Sequence, residues 1–69
     1  MKKNIISHVF VCGVPVSVDD SVLQGFIDSL AEKFDSSCLR SEVVESSVSY
    51  DTTWYVNDSM VAFRQAFKF

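Results

Sequence analysis

The stretch SVDDSVLQGFIDSLAEKFD, from Ser17 to Asp35, constrains this chain more than any other. Leu23, Phe26, Ile27, Leu30 and Phe34 recur there at spacings of three and four. That period predicts an amphipathic helix of about four turns. Ser17 is the expected cap, with Asp20 three residues later in a capping-box position. The carboxylates of Asp19 and Asp20 suit the positive end of the helix dipole. Asp28 and Glu32 give the helix an acidic face: a solvated surface, or in a sharper reading a patch that meets a basic protein. Gly25 sits on the polar side, where it costs about 1 kcal/mol against Ala. No other stretch is given a helix, so the fold is built around a lone one. A single helix covers only one face of a sheet.

The rest of the chain reads as strand. NIISHVFVCGV is rich in Ile, Val and Phe, apolar on both faces, and ended by Gly13 and Pro15; this predicts a central strand. CLRSEVVE alternates through Leu39, Ser41 and Val43, and the alternation slips at ESS, where a bulge or turn near Glu45 to Ser47 is expected. At the end of the chain, WYVNDSMVAFRQAFKF admits two readings. A helical period collects only Met60, Phe63 and Phe67. A two-residue turn at Asn57–Asp58 sorts nearly every residue into a hairpin. In that register Trp54 faces Val61, Thr52 faces Phe63, Tyr50 faces Gln65 and Val48 faces Phe67, and Asp51 lies across from Arg64. The expected fold is therefore α+β: a β-α-β-β two-layer sandwich, with one helix on a mostly antiparallel sheet of three to four strands. Trp54, Phe63, Phe67 and Phe69 are expected under the helix. Tyr55, Met60, Ala62, Arg64 and Lys68 are expected on the open side.

Sixty-nine residues form a single domain, 1–69, and a chain of this size buries only about 60% of its unfolded surface. Its composition, 48% hydrophobic with two Gly and one Pro, is that of a packed domain. Such small domains often gain stability by oligomerising, so a homodimer is among the expectations. The net charge of −3, with no basic run, argues against nucleic acid as the partner. Cys12 and Cys38 lack C-x-x-C spacing, which argues against zinc; a single disulfide is open to them if they sit close together, and two reduced, partly buried thiols are the expectation. No metal or other cofactor is expected. The opening MKKNIISHVFVCGVPVS imitates a signal peptide, but His8 interrupts the apolar run and no small-x-small site follows. No stretch approaches the ~18 apolar residues of a membrane span. The expected location is the cytoplasm.

Residues 8–34 carry a resemblance. Val9, Phe10, Val11, Gly13, Val14 and Pro15, followed by Val18, Leu23 and Ile27, resemble the opening strand and helix of the RNA-recognition motif (RRM) family, which has a ferredoxin-like fold. Further on, Ser59 to Phe63 stands where that family has a basic–Gly–aromatic–small–aromatic pattern, and lacks the basic residue, the Gly and the first aromatic. The resemblance implies that Phe10 lies on the open face with His8 and Cys12, while Val9 and Val11 face the helix. It also implies that Phe10 and Tyr55 could stack on bases, with Arg64 and Lys68 meeting phosphates.

Catalysis has little to work with. His8 and Cys12 lie roughly 13 Å apart at strand rise, beyond reach of a Cys–His pair. Asp19 and Asp20 are capping residues, no Ser lies in a nucleophile motif, and there is no phosphate loop. The expected function is a non-enzymatic protein-binding module, a stoichiometric inhibitor or adaptor acting through His8, Phe10, Tyr55, Met60, Arg64 and Lys68. Small phage proteins that block host defences are one population of this kind. The alternative is a reduced RRM-like binder of single-stranded nucleic acid.

Overall fold

A computed structural model describes residues 4–68. The chain runs β1 (Ile5–Val11), β2 (Val14–Val18), α1 (Asp20–Lys33), a 3-10 turn (Ser36–Cys38), β3 (Leu39–Glu45), β4 (Ser49–Val56) and β5 (Ser59–Phe67). The strands form one five-stranded sheet in the order β2-β1-β5-β4-β3. Every neighbouring pair is antiparallel. The expectation of a β-α-β-β fold with three to four strands is thereby corrected to ββαβββ with five.

The extra strand comes from two residues. Cys12 (φ 51°) and Gly13 (φ 81°) both occupy the left-handed region, so the first apolar segment folds back on itself. Two such residues in succession make the kind of turn that matches the twist of a tight hairpin. Pro15 lies inside β2 rather than between strand and helix. Ser17 belongs to β2 as well and does not cap the helix. Asp19 is the N-cap, through its backbone: its carbonyl accepts from the Val22 and Leu23 amides, both at 3.0 Å, and its side chain makes no cap bond. The slip at ESS is a reversal. Ser46 Oγ accepts from the amides of Val48 and Ser49, closing the β3–β4 turn. The turn at Asn57 (φ 50°) and Asp58 (φ 67°) falls where the sequence predicts it.

β2 and β3 are the two edges of the sheet, and α1 joins them. The helix must therefore cross one face of the sheet, and it packs on β1 and β5. Leu23 from the helix and Ala62 from β5 are fully buried. Ser7 of β1 is buried too. The small side chains at 7 and 62 let the helix approach the strands closely. Few other residues are enclosed: Val56 and Ser49 complete the buried set among the described residues. Most of the apolar content therefore remains in partial contact with solvent.

The hairpin β4–β5 keeps the predicted register for two pairs only, Val56↔Ser59 and Tyr55↔Met60. Next comes a bulge, and Trp54 pairs with Ala62, Thr53 with Phe63 and Thr52 with Arg64. Val61 is the extra residue. A one-residue slip moves every later side chain to the opposite face. Phe63 and Phe67, expected under the helix, are therefore on the open side, while Ala62, Arg64 and Lys68, expected on the open side, are on the helix side. Asp51 faces Gln65 rather than Arg64. Phe69, expected to extend the apolar face, lies outside the described residues.

Candidate partner-binding face

Alternation along each strand, together with the register, assigns every side chain to a face. On the helix side, Arg64 is the organising group. Its Nε donates to Asp20 Oδ1 at 2.7 Å, and its Nη2 donates to Gln24 Oε1 at 3.2 Å. Ser7 Oγ donates to the same Asp20 oxygen at 3.2 Å. The guanidinium also lies 5.2 Å from the centre of the Trp54 ring. One arginine thus ties β5 to the first turns of α1, and Asp20 meets both the arginine and the helix dipole. Lys68 is on this side as well: its Nζ donates to Glu45 at 2.8 Å and sits 4.8 Å over the Tyr50 ring. Neither cation is available to the open face.

The open face brings together the other four predicted residues. His8 and Phe10 stand on β1, and Tyr55 and Met60 pair across β4 and β5. His8 lies between Ser17 on β2 and Phe63 on β5. Four apolar residues form the centre: Ile6 and Phe10 on β1, Phe63 and Phe67 on β5. Because His8 pairs with Phe63 and Ile6 with Gln65, each apolar residue meets the next on a diagonal, within reach of aromatic side chains. Ile6 is 42% exposed and Phe67 37%, and Phe10 and Phe63 are half-buried.

A polar cluster borders this centre towards β3. Arg40 lies 4.1 Å over the Tyr55 ring, and it is ion-paired with Glu42 and, at 3.5 Å, with Asp58. Tyr55 Oη donates to Glu42 Oε1 at 3.4 Å. The tyrosine is therefore held by a cation on its face and a carboxylate at its tip. Asp51 accepts from Ser49 Oγ at 2.9 Å. An apolar centre with a polar rim is the anatomy of a protein interface.

Sequence reasoning missed Ile6, Phe63, Phe67 and Arg40 as members of this face. Phe63 and Phe67 were hidden by the bulge at Val61, which carries no Gly or Pro to mark it, whereas Ile6 shares its strand face with His8 and Phe10 and was legible by alternation. Arg40 had a legible signal, since it alternates with Glu42 on a strand. The acidic pair of α1 points away from the sheet: Asp28 and Glu32 are exposed, and Asp28 accepts from Gln24 Nε2 at 3.3 Å. Cys12 and Cys38 are both free thiols. Among the described residues, no three His, Cys, Asp or Glu side chains are gathered as metal ligands would be, and no helix is long and apolar enough to cross a membrane.

Compared with known protein families, curated proteins and solved structures, the chain matches none.

Proposed function

We propose that the chain is a small non-enzymatic protein-binding module that works as a stoichiometric inhibitor or adaptor through its open sheet face. The observation that carries this reading is the apolar diagonal Phe10–Phe63–Ile6–Phe67 on the side of the sheet opposite the helix. Aromatic residues at the centre of such a patch are the usual source of binding energy. The ordered Arg40–Tyr55–Glu42 rim supplies direction. The net charge of −3 favours a partner with a basic surface around an apolar contact.

Phe10 and Tyr55 on one face also support the second reading, a binder of single-stranded nucleic acid. That reading loses two of its cations, because Arg64 and Lys68 face the helix side, and Arg40 is already paired with two carboxylates.

Capture from a lysate with the tagged chain tests the proposal when two variants run beside it. Phe10→Ser with Phe63→Ser should abolish recovery of the partner, and Val22→Ser, on the outer side of the helix, should not. Equal recovery with all three chains would remove the open face from the reading. Titration with single-stranded RNA at low salt, where electrostatic attraction is strongest, separates the two readings: saturable binding there would favour nucleic acid.

A further inference from the structure

The two edges of the sheet differ in how they are closed. In β2, the tight turn at Cys12–Gly13 makes Val11 and Val14 a hydrogen-bonded pair. Backbone groups at Val14, Val16 and Val18 then point inward, and those at Pro15 and Ser17 point out. Pro15 has no amide hydrogen, so this edge keeps a single outward donor.

β3 has neither a proline nor a bulge, and its seven residues pair with β4 in unbroken register. Asn57 N–H donates to the Cys38 carbonyl, and Ser46 N–H to the Ser49 carbonyl, both at 2.8 Å. These two bonds set the phase: even-numbered residues of β3 bond to β4, and odd-numbered ones face outward. The amides of Ser41, Val43 and Glu45 therefore point off the sheet. That of Leu39 is used by the Ser36 carbonyl. The side chains on this edge are also exposed, Val43 at 63% and Val44 at 62%.

We infer that two copies of this chain join edge to edge through β3, antiparallel and centred on Ser41, into one continuous sheet. The occupant is chosen by charge. With Ser41 opposite Ser41, Arg40 of each copy stands across from Glu42 of the other, twice by symmetry. These are non-hydrogen-bonded positions, where facing side chains are closest. Leu39 stands across from Val43 of the second copy, also twice. Leu39 borders an open apolar notch of about 150 Å3 that Ile27, Leu30 and Trp54 also line, so the exposed valine arrives beside apolar surface. Ser41 amides and carbonyls exchange two bonds, and each Val43 amide reaches the Leu39 carbonyl of the other copy. Other registers do worse. Centring on Arg40 or on Glu42 sets like charges face to face. Centring on Val43 separates the opposite charges, and centring between residues puts outward backbone groups against inward ones.

This arrangement goes beyond the proposed function: it uses the β3 edge beside the open face and shares Arg40 and Glu42 with the rim of that face. Cross-strand partners share a face, so both open faces end on the same side of the joined sheet and both helices on the other. The module then offers two copies of its binding surface side by side, which raises avidity for a repeated or two-fold symmetric partner.

Sedimentation of the full chain over a concentration series tests the inference, with Arg40→Glu and Glu42→Arg as separate variants. The wild type should sediment as a dimer of 7.8 kDa chains. Each variant alone places like charges across the seam twice, and should dimerise at least about tenfold more weakly. An equimolar mixture of the two restores opposite charges at both positions, and should recover the dimer as a heterodimer. That recovery also demonstrates that both variants fold. The inference is overturned by a wild type that stays monomeric across the series, by variants that dimerise as well as the wild type, or by a mixture that stays monomeric.

Discussion

The two faces of this sheet are drawn from the same strands, and they differ in what lies over them. On the helix side, small residues at Ser7 and Ala62 admit α1, Leu23 is sealed in, and Arg64 is spent on Asp20 and Gln24. On the open side, the bulky residues Phe10, Phe63 and Phe67 stand over the same central strands with no covering layer among the described residues. Large apolar side chains are usually found in the interior. Here the helix sits on the small ones. The contrast teaches that side-chain size alone does not identify the packed face. What does is the placement of a helix that can approach closely and the polar groups that fasten it.

Four substitutions would break or sharpen that contrast. The largest effect is expected from Leu23→Ala, which empties the enclosed position on the helix; urea unfolding should show a loss of about 2–5 kcal/mol. In a domain of this size that is a large share of total stability. Arg64→Ala removes the fastening between β5 and α1, and the same measurement should show a loss of about 1–2 kcal/mol. An unchanged midpoint for this variant would mean that the arginine contributes nothing to holding the helix.

Gly25→Ala should act in the opposite direction. A Cβ at this position meets nothing within 4 Å, so the change should raise stability by about 1 kcal/mol through helix propensity. A loss on thermal unfolding would show that the helix packs more closely there than its geometry indicates. The smallest effect is expected from Phe63→Thr on the open side: a β-branched replacement on a strand face should cost under about 1 kcal/mol. A cost comparable with that of Leu23→Ala would mean that the open face is a packed core.

Parts of this architecture are legible in the sequence. The helix is, because Leu23, Ile27 and Leu30 recur with its period and no competing pattern overlaps them. The Asn57–Asp58 turn is, because its residue types tolerate positive φ. The turn at Cys12–Gly13 is not. Cysteine at a left-handed position gives no warning, and Gly13 and Pro15 read as the end of a strand rather than as a turn into a second one. The bulge at Val61 is equally silent, and its effect is larger. It leaves β5 a strand, as expected, but exchanges Phe63 for Arg64 on the open face. Half of that face was therefore recoverable, namely His8, Phe10, Tyr55 and Met60, all of which lie before the slip. Ile6 and Arg40 were within reach of the same alternation, while Phe63 and Phe67 depended on a register that only the whole sheet determines, through the pairing of β5 with β1 as well as with β4.

The central claim is that a single helix leaves one face of the sheet uncovered. The most direct test is NMR signal loss caused by a soluble paramagnetic agent, read at side chains, at a concentration where the chain is monomeric. The account predicts strong attenuation at Ile6 and Phe67 and persistent signals at the methyls of Leu23 and Ala62. Equal protection of all four would contradict it.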